Sequence, residues 1–398
     1  MDRRAFLGGS IAVGAAASLV AEPSPAADES PALPSVLQGA PVLTGPAAES
    51  LTVLQAIRGA ASGFVELQVA GEDWRRIDAE TDGLLPFDKH VLKFRLPPLP
   101  AGKSVKYRVT ATPIDFQNAY KIVRGAAEVS AEHAFRTLDP AAYETKFVIW
   151  NDTHENQETI AAVHAKTAAA KPDFFLWNGD QTNDIYDEAK MGNQYLAPGG
   201  LPIAADYPLA YARGNHDVRG PAARSLARFT GTPDDRFYYA FRSGPLAVLV
   251  MDTGEDKPDD APVFGGLAAF APMRRRQTEW LAKITAEAWF KSAPHKILCC
   301  HIPLWWTDER ERGAWSFSKV CREAWLPQLQ AAGVKLVISG HTHQAAWLPA
   351  GADRPIGQLV GGGPKFSAAT IIEGRATADK LTLTMSDLTG KTLHEILV

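Results

Sequence analysis

Beyond residue 140, apolar runs of strand length alternate with segments of helical periodicity, and this alternation constrains the fold more than any other feature of the chain. The runs span residues 147–150, 174–177, 246–250, 297–299 and 336–338. Continuous apolar strands interleaved with amphipathic helices are typical of a sheet that is covered on both faces. We therefore predict an α/β domain over residues 145–398.

The preceding part of the chain has a different period. Between residues 41 and 138 apolar and polar residues alternate, as in Val65, Leu67 and Val69. Alternation with period two, interrupted by Gly- and Pro-containing turns, is typical of short, half-buried strands. It predicts a small all-β sandwich over residues 41–138, before the α/β domain.

The first 40 residues indicate export. Arg3 and Arg4 precede a short Gly- and Ala-rich apolar stretch, which is typical of a twin-arginine signal, and we place this signal at residues 1–27. Cleavage is expected after Ala21, Ala26 or Ala27. Residues 28–40 are rich in Pro, Ala and Ser and are expected to form a linker. The expected partner is the export machinery for folded proteins, and the mature chain is expected to be periplasmic or secreted.

Charge and hydropathy exclude two classes of function. The formal net charge is -4 and the pI is about 6.2, so the chain lacks the basic field that coats a nucleic acid. No apolar stretch after the signal is long enough to cross a bilayer, so no membrane span is expected in the mature form. Three cysteines do not predict a disulfide framework, although a bridge from Cys299 or Cys300 to Cys321 stays open.

Side chains of metal-binding types follow the predicted strands of the α/β domain. They are Asp152, His154, Asp180, Asn215, His301, His341 and His343. Because the carboxyl ends of strands in an α/β sheet form one edge, we expect these side chains to converge. Within Asp-x-His and His-x-His, alternate residues of an extended segment would point to the same side.

The types and number of these ligands indicate the metals. Carboxylate, imidazole and amide oxygen without thiolate suit Fe, Mn, Zn or Co. Seven side chains exceed what one tetrahedral ion needs, but they match two ions that share a carboxylate. The predicted cofactor is therefore a pair of divalent or trivalent transition-metal ions.

These motifs resemble the calcineurin-like metallophosphoesterase superfamily over roughly residues 145–398, in the same order: Asp-x-His, Gly-Asp, Gly-Asn-His-Asp, a lone His and Gly-His-x-His. The resemblance implies a β-sandwich flanked by helices, with four layers in the order α/β/β/α. It implies one ion held by Asp152, His154, Asp180 and His343. It implies a second ion held by Asp180, Asn215, His301 and His341, with Asp180 as the bridge.

The N-terminal sandwich is similar to the fibronectin-type (fibronectin III-like) domain of purple acid phosphatases. Those enzymes have a Tyr three residues after the bridging Asp, where this chain has Asn183, and they lack the histidine found here as His154. The chain is therefore closer to the generic dinuclear phosphoesterases, with a purple-type architecture.

The implied reaction is the hydrolysis of phosphate mono- or diesters. Two cations would activate water for attack on phosphorus and neutralise charge on the phosphoryl oxygens. His216 is expected either to donate a proton to the leaving alkoxide or to bind the phosphate. Asp217 is expected either to orient His216 or to cap a loop.

Contacts to a small phosphorylated substrate are expected from Asn183, Trp305, Trp306 and Arg310. The aromatic residues either form a wall of the site or pack on the sandwich domain. Two alternatives to the phosphoesterase are a non-catalytic metal-binding scaffold of the same fold and a metallohydrolase acting on a non-phosphate ester or amide.

Overall fold

The structure is a computed structural model that describes residues 33–47, 49–306 and 316–398, apart from the side chains of residues 316 and 317. The predicted signal at residues 1–27 and Arg310 lie outside the described residues. The strands are β1 Val42–Thr44, β2 Thr52–Ala56, β3 Ala61–Val69, β4 Arg75–Ile77, β5 Phe87–Asp88, β6 Val91–Arg95, β7 Ser104–Asn118, β8 Lys121–Arg124, β9 Glu128–Val129, β10 His133–Arg136, β11 Glu144–Trp150, β12 Phe174–Asn178, β13 Leu209–Ala212, β14 Tyr239–Ser243, β15 Leu246–Met251, β16 His295–Cys300, β17 Leu336–Ser339, β18 Ala346–Leu348, β19 Gly357–Val360, β20 Thr370–Thr377, β21 Leu381–Asp387 and β22 Thr392–Leu397. The α-helices are α1 Gln157–Ala170, α2 Glu188–Met191, α3 Leu226–Thr230, α4 Phe270–Ile284, α5 Ala288–Lys291 and α6 Ser316–Ala331.

Two sheets pack face to face at the centre of the α/β region. The nine-stranded sheet has the order β22-β21-β20-β11-β12-β13-β1-β2-β6, and the six-stranded sheet has the order β14-β15-β16-β17-β19-β18. Strands β11, β12 and β13 are parallel neighbours in the first sheet, as are β15, β16 and β17 in the second. One buried apolar cluster combines side chains of both sheets, including Phe147, Ile149, Phe174, Leu246, Val248 and Ile338.

Helices cover the outer faces of this pair of sheets. Val148 and Trp150 of β11 belong to a second buried cluster together with Ile160 and Val163 of α1. On the other side, Trp325 of α6 and Leu281 of α4 are buried against side chains of β15, β16 and β17. The continuous apolar run at residues 147–150 is thus explained by burial on both faces of the strand. The predicted helix–sheet–sheet–helix order of the α/β region is confirmed.

The N-terminal region contributes to two sheets. Strands β3, β4, β5, β7, β8, β9 and β10 form a separate seven-stranded sheet, in which β3 has the predicted alternation of buried and half-buried residues. Strands β1, β2 and β6 instead extend the nine-stranded sheet, because β1 pairs in parallel with β13 through Thr44 and Leu209.

The predicted boundary between residues 138 and 145 is therefore not a boundary between sheets. Leu43 and Phe94 of the nine-stranded sheet share a buried cluster with Val65 and Val109 of the seven-stranded sheet. Residues 33–398 form one compact unit. The physical reason is that β1 satisfies the backbone groups at the edge of β13, which a detached domain would leave unpaired. The fibronectin III-like assignment stays a prediction.

Two further expectations concern cysteines and membrane segments. Cys299, Cys300 and Cys321 are buried and free, so the open alternative of a disulfide is not adopted. None of the helices within the described residues has the length and apolar character needed to cross a membrane.

Candidate metal centre

The carboxyl ends of five strands bring the predicted ligands together between the two central sheets. Strands β11, β12 and β13 are followed by Asp152, Asp180 and Asn215. Strands β16 and β17 of the facing sheet are followed by His301 and His341. Residues more than 180 positions apart in sequence, such as Asp152 and His341, are hydrogen-bonded here. The structure thus brings these predicted ligand residues together at one edge of the sheets.

One cluster of ligand atoms comes from Asp152, His154 and His343. Asp152 Oδ1 lies 3.4 Å from His343 Nε2 and 3.8 Å from His154 Nε2, and the two histidine nitrogens are 3.2 Å apart. Bonds of about 2.0–2.2 Å to a tetrahedral ion place neighbouring ligand atoms roughly 3–3.6 Å apart. Two of the three spacings fall in this range and the third exceeds it by 0.2 Å, so small shifts would let the three atoms hold a single ion.

A second cluster comes from Asp180, His301 and His341, whose ligand atoms all lie within 4.8 Å of one another. Asp180 Oδ2 is 3.0 Å from His301 Nε2, and Asn215 Oδ1 is 2.8 Å from His341 Nδ1. The same Asp180 oxygen is 3.5 Å from His154 Nε2, in the first cluster. Asp180 therefore lies between the two clusters.

Two buried ligand atoms lack any hydrogen-bond partner in the described part of the chain. They are Asp152 Oδ1 and His301 Nε2. The ring of His301 donates from Nδ1 to the carbonyl oxygen of Asn178 at 2.9 Å, which leaves a lone pair on Nε2. A buried polar atom without a partner costs free energy, and a cation bound in each of the two clusters would satisfy these atoms. The donor set thus fits the predicted metals.

Two buried carboxylates, Asp152 and Asp180, give the centre a negative charge that a cation can neutralise. Burial of His301 opposes its protonation, but the carboxylates of Asp180 and Asp152 outweigh burial and raise the pKa of His301 to about 10. Burial and the neighbouring charge of His301 lower the pKa of His341 to about 4, so this ring is neutral near pH 7. An imidazolium or a metal ion can neutralise the two buried carboxylates, and a metal ion would leave both rings as ligands.

The backbone of the ligand loops is in an uncommon conformation. Asp152, His154, Asp180, His341 and His343 all have positive φ, between 43° and 70°. The prediction that Asp-x-His and His-x-His are extended is therefore wrong, because these residues lie in tight left-handed turns after the strands. Positive φ in residues other than glycine is strained, and such strain concentrates at functional sites.

Close packing of the loops requires glycine at two positions. A Cβ atom on Gly179, which has φ of 83°, would lie 2.8 Å from His301 Cβ. A Cβ atom on Gly214 would lie 2.9 Å from Asp180 Cγ. These separations are shorter than carbon atoms tolerate, so a larger residue would displace a ligand.

His216 lies beside the first cluster, with its ring centroid 4.7 Å from that of His154. Its backbone N–H donates to Asp180 Oδ1 at 2.9 Å, and its Nδ1 lies 2.8 Å from the carbonyl oxygen of Asn183. Its Nε2 lies 2.8 Å from Nη1 of Arg219. The Nε of the same arginine donates to Glu255 Oε1 at 2.7 Å. Arg219 and Asn183 therefore set the orientation of the His216 ring.

Asp217 does not orient His216, which corrects one of its two predicted roles. Its carboxylate is fully buried and accepts hydrogen bonds from the backbone N–H groups of Asp180 and Gly214, at 2.9 and 2.8 Å, and from the Tyr195 hydroxyl at 3.0 Å. Burial and the charge of Asp180 raise the pKa of Asp217 to about 6. Asp217 thus links the loop that contains Asp180 to the loop that contains Gly214.

The predicted substrate contacts have different outcomes. Asn183 is exposed beside His154, with Oδ1 3.1 Å from His154 Nδ1. Trp305 is only 8% exposed and packs in the core with Trp325 and Cys321 of α6, so we correct its predicted role to a structural one. The Gln358 side chain accepts from the Trp305 N–H at 3.2 Å and donates to the Trp305 carbonyl oxygen, and the indole ring lies in the core. Trp306 is half-buried and stays a prediction, as does Arg310 outside the described residues.

Three residues of the centre were missed from the sequence. Asn151 donates to Asp152 Oδ2 and to the carbonyl oxygen of Gly362 at 2.8 Å, and Asn178 supplies the acceptor for His301. Asn151 directly precedes Asp152 and Asn178 lies two residues before Asp180, and a buried asparagine at the end of an apolar strand is a signal that points to this role. Arg219 has no comparable signal, because its partner Glu255 lies in a distant loop and its contact with His216, three residues away, depends on how the turn between them folds.

Comparison with known proteins is consistent with this geometry. The family model described as calcineurin-like phosphoesterase matches residues 145–345 of the chain. The serine/threonine-protein phosphatase CPPED1 of Homo sapiens is 28% identical over 173 residues, which are 43% of this chain and 49% of that protein. The corresponding protein of Pongo abelii has the same identity and coverage. The chain thus spans about half the length of the curated relatives it matches.

Solved structures extend the likeness to the fold. A purple acid phosphatase from seeds of yellow lupin (Lupinus luteus) superposes with a TM-score of 0.66, covering 90% of this chain and 73% of that chain, at 15% sequence identity. At this identity the likeness shows a shared fold alone.

Proposed function

This chain belongs to the calcineurin-like phosphoesterase family, and we propose that it is an exported phosphoesterase that depends on two metal ions. The proposed reaction is the hydrolysis of phosphate mono- or diesters of small molecules. The observation that carries the proposal is the convergence of the seven ligand residues, two of which, Asp152 and His301, present buried atoms without a hydrogen-bond partner in the described residues. Two clusters that share Asp180 support two ions.

When bound, the two ions would supply an activated water and neutralise charge on the phosphoryl group. The residues of the chain bind the ions, support the ligand loops and orient a ligand ring. Asp180 is the shared ligand, and its backbone is braced by Asp217. Asn183 holds the His154 ring by its side-chain oxygen, where purple acid phosphatases have a tyrosine and no corresponding histidine. The chain therefore uses an amide to orient an extra imidazole ligand.

His216 has the position of either a proton donor or a phosphate-binding group. Its ring lies next to His154 but belongs to neither ligand set implied by the family resemblance. Phosphate esters with different leaving groups separate the two roles. If His216 is a general acid, His216→Ala should reduce hydrolysis of alkyl phosphates by about 10²–10⁴-fold and of p-nitrophenyl phosphate much less. If His216 binds the phosphate, both substrates should lose the same factor.

His164→Ala is the matched control for this comparison, because His164 is a half-buried histidine of α1 outside the centre. Metal content should be unchanged in both variants. Loss of one equivalent of metal in His216→Ala would instead make His216 a ligand, as its closeness to His154 and Asp180 also permits.

The metal-dependent reaction is tested by Asp180→Asn. Loss of the shared charge should remove most bound metal and most hydrolysis of p-nitrophenyl phosphate and bis-p-nitrophenyl phosphate. Asp379→Asn, an exposed aspartate in a turn outside the centre, is the control. Metal is measured by elemental analysis after growth with Mn, Fe, Zn or Co supplied separately. Near-normal turnover by purified Asp180→Asn would refute the two-metal reaction.

The same assays address the two alternatives. A carboxylic ester of p-nitrophenol, tested beside the phosphate esters, identifies a metallohydrolase of non-phosphate substrates. Bound metal without turnover of any ester identifies a non-catalytic scaffold. The presence of all seven ligands in one place favours the enzyme over the scaffold, because loss of catalysis removes the constraint that keeps the ligands together.

Export is proposed from the twin-arginine pattern alone. The test is the location of the full chain in cells before and after Arg3 and Arg4 are both replaced by Lys. The protein should accumulate in the cytoplasm when the twin arginines are lost. An unchanged distribution between compartments would contradict export by this route.

A further inference from the structure

We propose that the cavity beside His216 binds the alcohol part of the substrate, and that this part is an apolar group of aromatic-ring size or larger. This inference rests on the proposed function, because it names the class of phosphate ester that the same centre hydrolyses. It is carried by the position of the cavity, by its apolar wall and by its charges.

The cavity has a volume of about 840 Å³. Asn183, His216 and Arg219 line the end of it that meets the metal centre, whereas none of the seven described ligands lines it. In an in-line displacement the leaving oxygen departs away from the attacking water, toward the group that protonates or stabilises it. Proton donation is one of the two roles proposed for His216, and in that role it places the cavity that it lines on the leaving-group side.

The outer wall of the cavity is apolar and exposed. It is formed by Val263, Phe264 and Leu267, from the segment between β15 and α4, and by Phe270, the first residue of α4. Val263 is 71% exposed and Leu267 is 74% exposed, and Tyr186, which also lines the cavity, is 70% exposed. Single exposed apolar residues are ordinary, but three around one cavity next to a reaction centre indicate a binding surface.

This wall is held in place by hydrogen bonds. The carboxylate of Asp259 accepts from the backbone N–H groups of Phe270 and Ala271 at 2.8 and 2.9 Å. Arg274 donates to the carbonyl oxygen of Glu255 at 2.9 Å, at the base of the same segment. The rings of Phe264 and Phe270 are in edge contact, with centroids 6.2 Å apart. The apolar side chains are therefore presented by an ordered segment, which favours binding because little ordering is required.

The charges of the cavity do not favour a second anionic group on the alcohol. Arg219 is paired with Glu255, and Lys257 is paired with Asp256 and Glu255. Arg224 is exposed and has no ion pair among the described residues, but Asp184 is an exposed carboxylate of the same lining. The free charges of the lining thus offset one another, and an apolar alcohol fits better than a nucleotide or a sugar carrying further phosphates.

The experiment compares kcat/KM for 1-naphthyl phosphate and glycerol phosphate in the wild type and three variants. Leu267→Ser should lower the value for 1-naphthyl phosphate by about tenfold, equivalent to about 1.4 kcal/mol, and leave glycerol phosphate within twofold. Val263→Ser should act in the same direction. The control is Leu84→Ser, because Leu84 is 75% exposed like Leu267 but does not line this cavity; both of its values should be unchanged. Ratios of variant to wild type remove the difference in intrinsic reactivity between the two esters.

A binding measurement separates this inference from the proposed function. The affinity of the full-length protein for 1-naphthol, measured by fluorescence titration, should fall in Leu267→Ser whether or not any ester is hydrolysed. A protein without phosphatase activity that still shows this fall would refute the proposed function and retain the cavity as an apolar binding site. An unchanged ratio of the two esters together with unchanged 1-naphthol affinity would overturn the inference, even if the phosphoesterase activity is present.

Discussion

Replacement of Gly214 by Ala tests the central geometric claim with a single methyl group. Gly214 does not have a positive φ, so the backbone itself tolerates Ala. Its neighbours do not, because the added Cβ would overlap the oxygen, the backbone nitrogen and the Cγ of Asp180. The substitution therefore acts on the bridging ligand without changing any ligand's identity.

The size of the effect follows from the distances. The added Cβ would lie 2.9 Å from Asp180 Cγ, whereas carbon atoms in contact prefer about 3.5–4.0 Å, so a displacement of about 0.6–1.1 Å is required. Asp180 is tied at its N–H to Asp217 and at Oδ1 to the N–H of His216, both at 2.9 Å, so it moves only by breaking these bonds. A displacement of about 1 Å at a reaction centre costs about 100-fold in rate, and overpacking costs about 1–3 kcal/mol of stability.

The assay combines kcat/KM for bis-p-nitrophenyl phosphate, metal content and thermal unfolding. Gly351→Ala is the matched control, because a Cβ at Gly351 would meet no atom within 4 Å and its φ is not positive. Gly214→Ala should lose about 100-fold in rate and part of its metal, and Gly351→Ala should lose neither. A Gly214→Ala protein with full metal content and a rate within threefold of wild type would refute the proposed packing of Asp180.

Further predictions address the centre and its supports. Chelation of metal should lower the melting temperature in calorimetry, because metal present at a hundredfold its Kd contributes about 2.7 kcal/mol; an unchanged melting temperature would count against bound metal. Arg219→Gln should reduce kcat/KM by at least tenfold at unchanged metal content, since the His216 ring loses its contact at 2.8 Å, and loss of metal would contradict a purely positioning role. Tyr107→Phe should lower the free energy of unfolding in urea by about 1–2 kcal/mol, because the buried hydroxyl donates to the Ala205 carbonyl oxygen at 2.7 Å; no change would show that this bond adds nothing. Burial raises the pKa of Cys321 to about 12, so maleimide should label this thiol near neutral pH only after unfolding, and rapid labelling of the native protein would contradict its burial.

Sequence reasoning succeeded where a feature is local. An apolar run followed within three residues by Asp or His, as at Asp152, Asp180 and His301, indicates a strand that ends at a reaction centre, and both halves of that signal lie close together in the chain. The covering of the central strands by helices follows from the run at residues 147–150 in the same way. These predictions need only the period of the pattern and the chemistry of the side chains.

The sequence did not predict the direction in which a side chain points. Asp217 follows His216 directly, yet its carboxylate turns inward to backbone N–H groups of Gly214 and Asp180, and Arg219 orients His216 instead. Trp305 follows a ligand strand, but its ring is buried under α6. Proximity in sequence limits where the backbone goes and does not decide the direction of a side chain.

The amino-acid sequence by itself determined the α/β region, the seven ligand types and their order, because each is encoded in short segments of residues. Only the tertiary structure decided that β1, β2 and β6 complete the nine-stranded sheet, and that the segment containing Val263 and Leu267 forms a wall beside His216. Such features depend on which surfaces come into contact in the folded chain. These contacts are stabilised by burial of apolar surface and by strand pairing between residues far apart in sequence, and a local sequence pattern does not reveal which distant residues will pair.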